Sequence, residues 1–368
     1  MIKILFFIET LSGGGAEKVL QNLVNNLDNE KFDITVQTVW KENPEKHLKK
    51  NIKYKYIYPD YSKINNYKYR LSVLLKTIYP IHIKDDYDIE VAYLECGATK
   101  VISTSRNKKA KKIAWVHCDL SKKMSIIDEF KEKSIAWYRK FHKVVCVSKD
   151  VEKSFKSIYG NDFETEVIYN VIDDYSIREK SNEIIDDYCF DENIPTIVAV
   201  GRLSKEKRFD RLIEAHKHLL DEGVSNKLLI IGEGNERENL EQIIKSLGVQ
   251  NTVTLLGFKS NPYPYIKKAD LLACSSDYEG FSSFVAEGLI LGKAIVTTKC
   301  NGMEELLGSS QYGIITEVSA EALAEGIKSL LSDNISKEEY ERKASNRGKE
   351  FSIEASVKQA EDFFTSIK

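Results

Sequence analysis

Six cysteines, at positions 96, 118, 146, 189, 274 and 300, form no C-x-x-C pair and no cluster. That spacing excludes a disulfide scaffold and a cysteine zinc site, and suits a reducing compartment. Cys146 and Cys274 sit inside the apolar runs VVCVS and LLACSS, where a thiol serves as a small buried hydrophobe. Long apolar runs are also missing: no window approaches the roughly 20 residues of a spanning helix. The opening MIKILFFIETLSGG has an apolar core of only Ile4–Ile8, broken by Glu9, with no small-residue cleavage site, so no signal peptide is expected. Short repeats and low-complexity segments are absent too. The reading is a cytoplasmic protein, soluble or peripheral on the inner face of a membrane.

Net charge is almost absent, at −2, but its distribution is uneven. Residues 1–172 carry 30 Lys and Arg against 22 Asp and Glu, whereas residues 173–368 carry 24 against 34. A basic half joined to an acidic half suggests different partners for each. Hydrophobic content of 42% with 30% charged residues is globular, and 368 residues suit two domains.

Apolar runs at 2–8, 34–39, 89–94, 113–117 and 143–147 read as strands, several of them continuous enough to be covered on both faces. Positions 16, 19, 20, 23, 24 and 27 have helical spacing after the first run, so the chain opens as strand, glycine loop, helix. The pattern restarts after Asn193-Ile-Pro, with strands expected at 196–203, 227–234, 252–258, 270–276 and 294–298. Helical stretches alternate with them at about 210–222, 236–247, 262–269 and 284–291, and a last one covers 352–367. Alternation of this kind predicts two doubly wound α/β domains, the second starting near residue 173.

Ligands of such sheets sit at the carboxyl ends of the strands, and the unusual residues of the second half fall there. Arg202 and Lys207 follow one strand end, a fork-shaped donor and a point cation suited to a diphosphate. A solvated charge run is the ordinary alternative. SGGGAE at 12–17 and GEGNER at 232–237 could bring backbone N–H groups onto an anion, or could simply be tight turns. His117, in WVHCD, closes a strand with Asp119 two residues on, as a site residue or a satisfied core histidine. The stretch DYEGFSSFVAE (277–287) sets Glu279 and Glu287 around a Gly-Phe-Ser-Ser turn before an apolar helix. Two carboxylates so placed could grip the diols of one sugar-bearing ligand, or could both be solvated.

Taken together, E-x7-E at 279 and 287, Gly-Arg-Leu-x4-Lys at 201–207, Gly-Glu-Gly at 232–234, SGGGAE and Asn170-Val-Ile-Asp173 resemble the retaining glycosyltransferases of family 4. The resemblance runs along nearly the whole chain in the family's order. It implies a GT-B fold: two Rossmann-like domains, here 1–172 for the acceptor and 173–350 for the nucleotide sugar, with residues 351–368 as a helix crossing back. By position, it implies that Glu287 binds the donor's ribose hydroxyls, while Glu279 and the N–H groups of Phe281, Ser282 and Ser283 hold the hexose. Arg202 and Lys207 would take the diphosphate, with Gly14 and Gly15 approaching it from the first domain. His117 would face the sugar's far side, and Glu233 and Phe258 would line the nucleotide end. No metal and no cofactor is implied beyond the nucleotide-sugar donor, UDP-linked before GDP-linked. Two departures stand out: Val171 replaces the usual linker glycine, and Ser282 occupies a place often held by Gly or Pro, so the donor sugar is not legible.

The resemblance leaves two rivals, a nucleotide-sugar 2-epimerase of similar fold and a non-catalytic binding subunit. The acceptor expected is a glycan, lipid-linked, in bacterial surface polysaccharide synthesis. Eight of the chain's 19 tyrosines fall within residues 53–87, interleaved with lysines, and Tyr67, Leu71, Leu74, Leu75 and Ile78 share helical spacing. Together with RNKKAKK at 106–112, this suggests a basic half docked on an anionic membrane surface. The alternative is a helix burying that stripe in its own domain. Nucleic acid is not expected, because no binding module is visible.

Overall fold

A computed structural model describes residues 1–11, 14–123 and 128–368, so Ser12 and Gly13 of the SGGGAE stretch lie outside the described residues. The chain divides into two compact units, Met1–Ile172 with Ile353–Lys368, and Asp173–Ser352. In the first unit the strands are β1 (Ile2–Ile8), β2 (Phe32–Trp40), β3 (Lys53–Tyr58), β4 (Ile89–Ala92), β5 (Lys111–Val116), β6 (Lys143–Cys146) and β7 (Thr165–Val167). They form a sheet of spatial order β3-β2-β1-β4-β5-β6-β7 in which every pairing is parallel. The second unit holds β8 (Thr196–Val200), β9 (Lys227–Ile231), β10 (Val253–Gly257), β11 (Leu271–Cys274), β12 (Ile295–Thr298) and β13 (Ile314–Thr316). Its sheet, also parallel, runs β10-β9-β8-β11-β12-β13. Both halves are doubly wound, as the alternating pattern predicts. Strand order reverses between β1 and β4 in one, and between β8 and β11 in the other.

Three strands escape the sequence pattern: β3, β7 and β13. Each is a sheet edge with a neighbour on one side only. In β3 only Ile57 is fully buried, and β7 and β13 are half-buried throughout. Edge strands need no continuous apolar run, so none is written there.

Apolar periodicity does place the helices. In Gly15–Asn26 the buried residues are Val19, Leu20, Leu23 and Val24. The helix Ser283–Ile290 lies so close to its sheet that a Cβ on Gly288 would come within 2.5 Å of Leu272. The C-terminal helix Ile353–Ser366 belongs to the first unit, where Phe364 packs edge-on against Phe6 at 5.8 Å. Its Glu361 accepts a hydrogen bond from the Asp28 amide at 2.8 Å.

The stripe from Tyr67 to Ile78 is a correction. The helix Lys63–Leu74 ends before Lys76, whose φ of 57° breaks it, and Ile78 is buried in a separate helix, Ile78–His82. No residue of the helix Lys63–Leu74 is buried, so its apolar positions do not form the ordinary core stripe. Among the described residues no helix is long and apolar enough to cross a membrane.

Candidate functional site

In the second unit the sheet's reversal point lies between β8 and β11, and the loops leaving these two strands carry the polar residues. Lys207, after β8, and Glu279, after β11, form an ion pair of 2.6 Å between Nζ and Oε1. The same oxygen accepts from the Ser276 hydroxyl at 2.8 Å. Glu279 is only 9% exposed, and Lys207 is half-buried. Burial alone would push the Lys207 ammonium down, but the Glu279 carboxylate beside it reverses that and holds the pKa above its ordinary value. Lys207 therefore stays a cation across the physiological range.

Why the two loops meet is legible in their bonds. The Ser275 hydroxyl donates to the Lys207 carbonyl at 2.8 Å, and the Asp277 amide to the Glu206 carbonyl at 2.9 Å. Arg211, buried in the helix Phe209–Asp221, donates to the Ser275 carbonyl at 2.8 Å and pairs with Asp277 at 2.6 Å. Arg208 takes a left-handed backbone, φ 50°, and its guanidinium bridges Asp210 and Asp277. Left-handed backbone costs a side-chain-bearing residue about 1–2 kcal/mol. Burial would raise the Asp277 carboxyl, yet the two guanidiniums hold it below the usual range.

The glycines of Gly232-Glu233-Gly234 answer to packing. A Cβ on Gly232 would lie 1.8 Å from the Gly201 carbonyl oxygen, and one on Gly234 would lie 2.2 Å from that of Leu203. The loops after β8 and β9 thus cross backbone to backbone, locked by the Leu203 amide donating to the Glu233 carbonyl at 2.9 Å. The Glu233 side chain pairs with Arg237 at 2.7 Å. Arg202 is exposed and, among the described residues, makes no ion pair. Phe258 stands 73% exposed just past β10.

Ser282 caps the helix Ser283–Ile290 by position only: it makes no side-chain capping bond. Its hydroxyl is buried and has no partner among the described residues. A narrow cavity joins it to Lys207, Cys274, Ser276 and Glu279. Phe281 is buried, and Ser283 is half-buried at the first turn. One turn further, the half-buried Glu287 accepts a hydrogen bond from the Tyr263 hydroxyl at 3.0 Å. Burial, with Glu287 beside it, pushes the Tyr263 phenol far up, so it remains a donor. Sequence reading missed Tyr263 and Arg211, while Ser276 and Asp277 lie in the strand-end stretch it singled out, without a role given to either. Nothing local marks Tyr263.

Gly14, Gly15 and His117 belong to the first unit. Gly14 precedes the first helix in extended backbone, φ −148°, and open space surrounds the place of a Gly15 Cβ. His117 follows β5; its amide donates to Glu95 at 2.8 Å, and its ring lies 4.7 Å from that of Tyr93. Asp119 accepts from the hydroxyls of Ser121 and Ser154. No group of three or more metal-ligating side chains occurs among the described residues.

Two family descriptions match the chain, Glycosyltransferase Family 4 over residues 13–175 and Glycosyl transferases group 1 over residues 180–351. An N-acetylgalactosamine-N,N'-diacetylbacillosaminyl-diphospho-undecaprenol 4-alpha-N-acetylgalactosaminyltransferase of Campylobacter jejuni is 36% identical over 188 residues, 50% of this chain and 49% of that protein. The lipopolysaccharide core biosynthesis glycosyltransferase LpsE of Rhizobium meliloti is 29% identical over 141 residues, 38% of this chain and 40% of that protein. The chain spans about half the length of such curated relatives, or less. Among solved structures, Anabaena Alr3699/HepE in complex with UDP-glucose aligns over 100% of both chains with a TM-score of 0.80 at 20% identity, a likeness of fold.

Proposed function

The chain belongs to family 4 of the glycosyltransferases, and from that premise we propose that it moves a hexose or N-acetylhexosamine from a UDP-sugar to a lipid-linked glycan in bacterial glycoconjugate synthesis. The Lys207–Glu279 pair, buried at the β8/β11 reversal beside the unpartnered Ser282 hydroxyl, is the observation that carries this reading. Both bonds on Glu279 fall on Oε1, which leaves Oε2 to accept from a hydroxyl of the transferred sugar. Lys207, Arg202 and the start of the helix Ser283–Ile290 bring positive charge to the diphosphate, so the reading needs no metal. The amides of Phe281, Ser282 and Ser283 hold the sugar, and Glu287, steadied by Tyr263, accepts from the ribose. Phe258 and Glu233 attend the nucleotide end. In the first unit, Gly14 and Gly15 serve the diphosphate and His117 the sugar, and that unit receives the acceptor.

Retention follows from front-face attack. The acceptor hydroxyl oxygen bonds to the anomeric carbon on the side where the bond to the diphosphate breaks. Its proton passes to the departing phosphate oxygen, and the diphosphate keeps the electron pair. Charge builds on the diphosphate at that moment, where Arg202 and Lys207 stabilise it. UDP-linked donor and undecaprenol-linked acceptor are supported by what the related proteins bind or act on. The donor unit is acidic and the acceptor half basic, which suits an anionic inner membrane surface.

A screen of nucleotide release from UDP-Glc, UDP-Gal, UDP-GlcNAc, UDP-GalNAc and GDP-Man tests the proposal. Slow UDP release from one UDP-sugar, increased by a lipid-linked acceptor, is expected. No release from any donor, or an isomerised sugar without acceptor, would sink it.

A further inference from the structure

We propose that the helix Lys63–Leu74, with Leu75, is the element that docks this protein on an anionic lipid bilayer. The inference rests on the lipid-linked acceptor proposed above and names the surface that would bring the protein to it. Ile64, Tyr67, Leu71, Leu74 and Leu75 are 69, 69, 42, 68 and 61% exposed. On a helix these positions fall within one stripe about 100° wide. A stripe of that width is what a core-facing helix buries, and here it faces outward.

The opposite face explains why the helix stays this way round. The Tyr69 hydroxyl donates to Glu9, just past β1, at 2.7 Å, and the Tyr69 ring packs on Trp40 at 5.6 Å. Tyr69 and Val73 are packed against the unit's buried cluster. Ser72 bonds the Tyr58 hydroxyl at 3.5 Å, and the Ser62 side chain caps the first turn by accepting from the Asn65 amide. A half-turn roll to bury the leucines would break the contacts of Tyr69, Ser72 and Val73 with the rest of the unit. The outward orientation is therefore built in.

Charge decides what covers the stripe. Residues 61–84 contain five cations, Lys63, Lys68, Arg70, Lys76 and Lys84, and no Asp or Glu. Lys68 borders the stripe on one side, and Lys63 and Arg70 on the other; all three are exposed. An apolar stripe between cations, with Tyr61 and Tyr67 exposed beside it, matches a layer whose outside is anionic and whose inside is hydrocarbon. The basic segment 106–112 is a different place. It leads into the first residue of β5, whereas Tyr69 holds the helix at the carboxyl edge, beyond the end of β1. In a parallel sheet these are opposite edges, so one flat surface engages one of them. In that segment Lys108 and Lys109 are exposed and the one apolar residue, Ala110, is buried, which leaves the helix as the docking element.

Flotation of the full chain with vesicles of phosphatidylcholine, alone or with phosphatidylglycerol, tests this. Wild-type protein should float with the anionic vesicles, less so in high salt. The triple variant Leu71→Ser, Leu74→Ser, Leu75→Ser should lose about tenfold or more in partitioning, and the double variant Lys68→Glu, Arg70→Glu should lose as much. Lys108→Ser with Lys109→Ser should float like wild type. Unchanged thermal melting of the triple variant shows that the loss is not misfolding. Equal flotation of triple variant and wild type would overturn the helix assignment while leaving a membrane-bound transferase standing. Wild-type protein that releases UDP yet floats with no vesicle would overturn docking and leave the donor chemistry intact. A wild-type dimer that the triple variant splits, without vesicle binding, would overturn it in favour of a second copy on this face.

Discussion

Two helices, one in each unit, place their apolar side chains in opposite ways. In Ser283–Ile290 nearly every residue is buried, and its glycine is fitted against Leu272 and Ile295. In Lys63–Leu74 none is buried, and the helix is tied to its unit by Tyr69, Ser72 and Val73 on the face opposite the leucines. Carboxylates divide the same way. Glu279 in the second unit is paired with a cation at the end of a strand, while Glu90 in the first is wholly buried within β4 and held by a phenol. An apolar stripe or a buried acid thus says little until its neighbours are known. What it meets decides whether it builds a core, a docking face or a site.

The largest expected effect separates Lys207 from Arg202. Alanine at either position should lower kcat by roughly 10²-fold or more, because the diphosphate becomes more charged only as the bond breaks. Stability should distinguish them. Lys207→Ala leaves Glu279 without its cation in a nearly closed site and should destabilise by up to about 3 kcal/mol. Arg202→Ala, at an exposed position without an ion pair, should stay within about 0.5 kcal/mol. Steady-state kinetics paired with urea melts would show this, and equal melting midpoints for the two would dissolve the distinction.

The two helices can be compared directly. Leu289 is 0% exposed and Leu74 is 68% exposed. Leu289→Ala should cost about 2–5 kcal/mol, whereas Leu74→Ala should be close to neutral. A large cost at Leu74 would mean that something in the protein itself covers the stripe.

A smaller effect is expected at the nucleotide end. Glu287→Ala should raise the donor KM about tenfold with kcat little changed, since a ribose contact is about as strong in the ground state as in the transition state. Tyr263→Phe removes one hydrogen bond from that carboxylate and should move KM the same way by a few-fold, about 1 kcal/mol. A fall in kcat with constant KM in both variants would place the pair at the reacting centre instead.

Much of this was legible in the residues. Continuous apolar runs marked the covered strands, and the phase of Val19, Leu20, Leu23 and Val24 fixed the first helix. Strand-end chemistry pointed to Lys207 and Glu279 separately. Their pairing was not legible, because 72 residues separate them and only the order of β8 beside β11 brings them together. Arg202 and Lys207 look alike in sequence, yet one lies open and the other is drawn in by Glu279. Tyr263 was hidden for a similar reason: its partner is 24 residues away, across a loop and a strand. Of the four edge strands, β3, β7 and β13 carry no continuous apolar run, and only β10 does. The stripe on Lys63–Leu74 had the right period, but a period cannot tell outward from inward.

Glu90 gives the smallest and most selective test of the contrast between the two carboxylates. Burial raises its pKa above the ordinary value, although bonds from Ser105 and Tyr79 work against the rise, the Tyr79 hydroxyl at 2.5 Å. The unfolded chain releases this proton near the usual carboxylate value, about pH 4.3. Between that value and the raised one the folded chain binds more protons than the unfolded chain, so stability falls as pH rises through the window. Glu90→Gln keeps an oxygen to accept from Tyr79 and carries no charge. Near pH 4 the variant should melt with wild type; toward neutral pH it should become the more stable of the two by a gap that grows and then levels off. Glu279→Gln should do the reverse at neutral pH, since it removes the charged partner of the half-buried Lys207 ammonium. Melting temperatures of the three proteins across pH 4 to 8 check both halves. A gap between Glu90→Gln and wild type that does not change with pH would show that Glu90 never carries the charge its burial opposes.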